Sequence, residues 1–181
     1  MLPLDPRSVA NLILDEAAIR GVKLTNLALQ KILYFVHGRF LVEEQRPLVA
    51  GSFEAWQFGP VSLPVYEAFK HFGPNQIKDR AYKKNILTGE LSPVEIPQDK
   101  NLKDRIVELA IPYLKMSPGR LVELSHASNS PWDQITGGTK RKREYGMRIS
   151  NENILENFRF HKISVREFPR LGEPDEESTP D

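Results

Sequence analysis

Residues 25–41 read as a helix that is apolar on most of its circumference, and a helix of that kind belongs inside a fold. Leu29, Ile32, Leu33, Val36 and Phe40 form one stripe, and Leu27, Tyr34 and Leu41 form a second at seven-residue spacing. Thr25 stands at its start as a capping residue. The rest of the chain must therefore supply cover on several sides. With 181 residues, one domain is the default, and a domain of this length buries a proper core without disulfide or metal staples.

The covering elements are legible as helices. Asp5-Pro6 is a helix start, with Val9, Leu12, Ile13 and Ala17 on one face and Gly21 as the stop. Segment 49–58 looks extended, and Gly59-Pro60 is expected to turn it. A helix is expected from about Ser62 to Phe72, with Val65, Phe69 and Phe72 on one face, ended by Gly73-Pro74. In 75–98 a short strand is expected to begin at Ile77. Leu87-Thr88-Gly89-Glu90-Leu91 reads as a hairpin tip, with Val94 and Ile96 returning and Pro93 and Pro97 restricting the strands to an edge. Leu102, Ile106, Leu109 and Tyr113 repeat at helical spacing, and Pro112 predicts a kink or early end near Glu108 to Ile111. Ser117-Pro118 opens another short helix, Pro131-Trp132 a helical turn, and Ser150 a last helix bearing Ile154, Leu155 and Phe158. The expected fold class is mainly α: five to six helices around a buried central helix, with a small β element inserted between the third and fourth helices.

Charge and composition exclude several classes. There is no cysteine, so no disulfide framework or thiolate site exists, which is compatible with a reducing cytosol. The start, Met1-Leu2-Pro3-Leu4-Asp5-Pro6, lacks the basic and apolar segments of a signal peptide, and the longest purely apolar run, Ile32 to Val36, is too short to span a membrane. A cytoplasmic location is expected. The net charge of +1 conceals an acidic end: residues 169–181 hold five acids and one base, leaving 24 bases against 19 acids in the body. Much of that excess is the run Lys140, Arg141, Lys142 and Arg143. This is one local patch, so no dedicated nucleic-acid face is expected. The domain is expected to occupy 1–168, and 169–181, with no apolar anchor beyond Leu171, to form an acidic disordered tail.

Three blocks carry a resemblance. The first is Leu24-Thr25-Asn26-Leu27-Ala28-Leu29-Gln30-Lys31-Ile32-Leu33-Tyr34-Phe35. The second is Glu54-Ala55-Trp56-Gln57-Phe58-Gly59-Pro60-Val61, followed by Val65-Tyr66. The third is Leu121 to His126 with Ser130-Pro131-Trp132. In order and content they resemble the Panacea (SocA-like) antitoxin domain over about residues 5–160. Ser125 stands where threonine is usual, and Pro112 falls in a helix that is usually uninterrupted. Proteins similar to this one are encoded beside a small toxic protein and neutralise it, commonly by direct binding; one kind delivers the toxin to a cytosolic ATP-dependent protease. The resemblance thus implies a non-enzymatic antitoxin with a toxin partner, a protease as a further partner in the adaptor variant, and no cofactor.

Candidate partner-binding residues are Gln30, Lys31, Tyr34, Trp56, Phe58, Tyr66, His126 and Trp132, and for six of them, all but the two tyrosines, a structural alternative competes. In a strand Trp56 and Phe58 face one side and Gln57 the other, so both aromatics either plug the core or present Trp56 as an interface anchor. Lys31 is expected to reach out along its stem, and Gln30 to satisfy a backbone group. Ser125-His126 is not a nucleophile pair, because adjacent helical residues point about 100° apart and no Gly-x-Ser-x-Gly elbow is present. His126 is expected to bond the loop of Ser128, Asn129 and Ser130, and Trp132 to drop into the core. The basic run Lys140–Arg143 is either a solvated loop or a patch for phosphate or an acidic partner. The four histidines, His37, His71, His126 and His161, sit at no metal-ligand spacing.

Two other function classes compete. A small hydrolase or nuclease would need Asp15, Glu16, Glu54 and Glu67 to gather in one pocket. A DNA-binding autoregulator would need a helix presenting several bases, and no helix here does; the basic run supports nonspecific contact at most.

Overall fold

A computed structural model describes residues 2–137 and 147–161. The basic run Lys140–Arg143 and the acidic end 169–181 lie outside the described residues. Helix α1 (Pro6–Ile19) begins where the Asp5 carboxylate accepts from the backbone N–H of Arg7 at 2.9 Å, and it ends before Gly21, whose φ of +69° suits glycine. Helix α2 (Asn26–Glu44) is capped by the Thr25 hydroxyl, which accepts from the Ala28 N–H at 3.3 Å. Leu29, Ile32, Leu33, Tyr34, Phe35 and Val36 are all fully buried, so α2 is the central helix.

Packing on α2 is aromatic. Phe35 stacks on Tyr113 at 4.9 Å between ring centroids, and Tyr34 meets Phe53 edge-on at 5.3 Å. Each such buried side chain contributes about 1.5–3 kcal/mol by leaving water. Gly38 is needed here, because a Cβ would overlap the Phe158 ring.

Helix α3 (Leu63–Phe69) runs into a 3-10 turn (Lys70–Phe72). Helix α4 (Lys100–Leu114) is followed by α5 (Pro118–Ser125), α6 (Pro131–Thr136) and α7 (Asn151–Asn157). These make seven α-helices among the described residues, the seventh being the turn expected at Pro131-Trp132. Helix α4 passes through Pro112 without ending. Proline removes one hydrogen bond, leaving the Glu108 carbonyl, but Glu108 is exposed, and Leu109, Tyr113 and Leu114 hold both sides of the proline in the core.

The β structure is in two pieces. Strand β1 (Phe53–Trp56) pairs antiparallel with β2 (Gly59–Val61) on one side and with β5 (Arg148–Ile149) on the other, in the order β2-β1-β5. Strands β3 (Tyr82–Lys84) and β4 (Leu91–Pro93) form a separate hairpin between α3 and α4, where a β element was expected. Ile77 starts no strand; it is buried, and its N–H donates to the Leu24 carbonyl at 2.8 Å.

The β1–β2 connection differs from the sequence expectation. Trp56 pairs with Gly59, so the two-residue turn is Gln57-Phe58, and Gly59-Pro60 is the start of β2 rather than the turn. Trp56 and Phe58 therefore do not share one strand face: Trp56 is buried at the strand end and Phe58 is half-buried in the turn.

Candidate functional site

The three sequence blocks meet in one place. The β1–β2 hairpin lies on the first half of α2, with α5 and α6 closing over it. Gly59, at φ +94°, makes the approach feasible: a Cβ there would overlap Ser125 Oγ and come within 3.2 Å of Lys31 Nζ. Only glycine accepts both the angle and the space.

A chain of polar groups lies beneath the hairpin. Lys31 is fully buried and its Nζ donates to the Pro60 carbonyl at 2.7 Å, so its stem does not reach solvent. No ion pair reaches it among the described residues, and burial pulls its pKa well below 10.5. Gln30 does satisfy a backbone group: its Oε1 accepts from the Ser62 N–H at 2.8 Å while its Nε2 donates to Asn26 Oδ1 at 3.1 Å. Ser125 Oγ is spent on the Val122 carbonyl at 2.7 Å.

The two tryptophans lock the hairpin to α6. Trp132 Nε1 donates to the Trp56 carbonyl at 2.7 Å, and Trp56 Nε1 donates to Glu54 Oε2 at 2.7 Å. Both indoles are buried. Tyr66 meets Trp56 edge-on at 4.7 Å, and the His126 ring lies over Trp132 at 3.9 Å. The His126 ring faces the indole, and the Ser130 hydroxyl of the following loop donates to the Ser125 carbonyl at 3.2 Å.

Tyr34 joins a connection that sequence reasoning missed. Its hydroxyl lies 3.0 Å from His161 Nε2, and His161 Nδ1 lies 2.9 Å from the Leu124 carbonyl. A carbonyl only accepts, so Nδ1 carries the proton and Nε2 accepts from the tyrosine. Burial lowers the His161 pKa from 6.5 to about 4, the Leu124 hydrogen bond opposing it, and raises that of Tyr34 well above 10.0, with Tyr113 adding to the rise. No spacing signal pointed to His161, because its partners come from α2 and α5.

Of the eight candidates, Gln30, Lys31, Tyr34, Trp56 and Trp132 are interior, while Phe58, Tyr66 and His126 are half-buried and reach the surface. The carboxylates proposed for hydrolysis are engaged locally: Asp15 with Arg80, Glu16 with Arg20 and Glu67 with Lys70, each at 2.6 Å, and Glu54 with Trp56. Among the described residues no group of three or more His, Cys, Asp or Glu side chains is placed to hold a metal, and no helix is long and apolar enough to cross a membrane. The arrangement clamps three distant segments together through polar groups that bond one another and backbone.

Fold and site define a mainly α protein in which the motif residues of a known antitoxin domain interlock. Residues 29–133 match the family described as antitoxin SocA-like, Panacea domain, and the chain belongs to that family. It is 48% identical over 177 residues to a protein named Antitoxin SocA from Caulobacter vibrioides (strain NA1000 / CB15N), covering 98% of this chain and 94% of the relative. No solved structure matches the chain.

Proposed function

We propose that this chain is an antitoxin that binds a cognate toxic protein in the cytoplasm and covers its active surface, making and breaking no bond itself. The observation that carries this reading is the near full-length relation to Antitoxin SocA. The geometry supports it, because the side-chain polar groups of Gln30, Lys31, Ser125 and Trp132 are bonded to one another's segments and to backbone. Neutralisation proceeds by occlusion, or by handing the toxin to a cytosolic ATP-dependent protease. Half-buried Phe58, Tyr66 and His126 are candidate contact residues, and Lys140–Arg143 would steer an acidic partner. No cofactor is required.

The test is to express the product of the adjacent gene in bacteria, alone and with this chain, and to score growth. Arrest by the neighbour, relieved by this chain, is the expected result. The neighbour's abundance in the rescued cells then separates masking from degradation: unchanged for occlusion, depleted for delivery. Arrest that this chain leaves in place would sink the reading for that partner.

A further inference from the structure

The β3–β4 hairpin stands outside the core. All six of its strand residues are exposed, and at its tip Ile86 and Leu87 are 97% and 96% exposed, with Leu91 at 69% beside them. A loop tip left to solvent is ordinarily polar, and apolar side chains held in water gain nothing for the isolated fold.

The tip is nonetheless built to hold them. Asn85 Oδ1 accepts from the N–H groups of Leu87 and Thr88 at 2.9 and 3.2 Å, and the Asn85 N–H donates to the Glu90 carbonyl at 2.8 Å. Gly89, at φ +74°, donates back to the Asn85 carbonyl at 2.8 Å. The base is equally fixed. The buried Asn11 amide donates to the Val94 carbonyl at 2.8 Å, and its oxygen accepts from the Ala81 N–H at 2.7 Å. Ala81 and Val94 are themselves core residues, and Arg80 pairs with Asp15 on α1. Two aliphatic side chains are therefore presented on an arm whose tip and base are both hydrogen-bonded. Such preorganised anchors lower the ordering cost of binding.

Charge on the arm points to the kind of partner. Lys78, Lys83 and Lys84 are exposed and make no ion pair among the described residues. Asp79 and Glu90 keep their charge while accepting from the Tyr82 and Thr88 hydroxyls, and Lys83 also acts on Asp5, which Arg7 pairs, so the arm's own balance is Lys78, Lys83 and Lys84 against two carboxylates. The surplus on the arm is positive, which favours an acidic partner over a second copy carrying the same surplus.

We propose that the β3–β4 tip is the anchor with which this chain docks the protein it neutralises, and that the partner face is an apolar pocket rimmed by carboxylates. The inference rests on the antitoxin reading and names a surface that shares no residue with the two-tryptophan cluster. Ile86 and Leu87 fill the pocket, while Lys83 and Lys84 steer the encounter and pair with its rim.

The test uses the full chain and the purified product of the adjacent gene, with binding measured by titration calorimetry and rescue scored as growth. Ile86→Ser/Leu87→Ser should melt like the wild type, because both side chains are exposed, yet bind about 100-fold more weakly and lose rescue. Lys83→Glu/Lys84→Glu should slow association about tenfold at low salt, with the difference shrinking as salt rises. Equal binding by wild type and the apolar variant overturns the proposal, as does loss of binding on Phe58→Ser while Ile86→Ser/Leu87→Ser binds normally. A wild-type dimer that Ile86→Ser/Leu87→Ser dissociates would make the tip a self-association face and overturn it too. A wild type that neither binds nor rescues defeats the antitoxin reading for that partner, and this inference with it.

Discussion

Acidification from about pH 7.5 to about pH 5 is expected to cost this fold on the order of 4 kcal/mol, half from each of two buried histidines. His37 accepts the Val49 N–H at Nδ1 (3.3 Å) and places Nε2 3.0 Å from Asn151 Oδ1; His161 bridges Tyr34 and the Leu124 carbonyl. Burial lowers both from 6.5 to about 4, in each case against an opposing hydrogen bond. The unfolded chain takes up these protons near 6.5 and the native fold refuses them until about 4. Below 6.5 the unfolded state therefore binds more protons, so the stabilisation is whole above that value and drains as pH falls toward 4. At about pH 5 the loss is about 2 kcal/mol per histidine, against a total stability of about 5–15 kcal/mol for a domain. Asp5 does not confuse this window. Burial pushes its carboxyl up, but Arg7, with Lys83 adding, outweighs that and holds it below 3.8, so its contribution is lost only in stronger acid. The assay is urea unfolding at both pH values for the wild type, His37→Gln and His161→Gln. Each variant should start less stable but lose only about half as much on acidification, and the double variant little. Single variants that lose as much as the wild type would refute the reasoning.

Three further outcomes follow from the joint. Gly59→Ala should destabilise by about 2–4 kcal/mol in the same unfolding assay, from a residue forced to positive φ and a Cβ driven into Ser125. Trp132→Phe keeps an aromatic ring but removes the indole N–H that donates to the Trp56 carbonyl, together with part of the buried indole, and should cost about 1–3 kcal/mol. Lys31, with its pKa held well below 10.5 by burial, should make thermal stability rise with pH between its native pKa and 10.5. Lys31→Met should remove that rise in melts taken from about pH 7 to about pH 9.5, and a variant that keeps the wild-type slope would contradict it.

Helix starts were legible because their chemistry is local. Asp5, Thr25, Ser117 and Ser150 each accept from an N–H two or three residues on, so the cap and its partner lie in one short window of sequence. The burial of α2 was legible for a similar reason, since its stripes are written along one helix. What escaped were polar contacts between distant segments. Gly59-Pro60 has the composition of a turn, and its place in a strand depends on Ser125 and Lys31 pressing against it. Lys31 has the usual character of a surface residue until Pro60 supplies an acceptor inside. His161 has no local signal at all, because it answers to Tyr34 and Leu124.

The division has a consequence for finding the partner face. The blocks that carry the family resemblance are largely interior: Gln30, Lys31, Tyr34, Trp56 and Trp132 are each 4% exposed or less. They define a joint that sets three segments against one another, and their chemistry is spent inside it. A contact face has the opposite requirement, side chains that the fold itself does not use. Ile86 and Leu87 meet it, and they lie in 75–98, where the sequence pattern was weakest. The weakness has a physical cause: a hairpin that buries none of its six strand residues has no reason to alternate apolar and polar positions. In this fold, motif strength marks the joint that sets α2, the β1–β2 hairpin and α6 together, while the arm is held by residues outside the motifs, Asn11 above all.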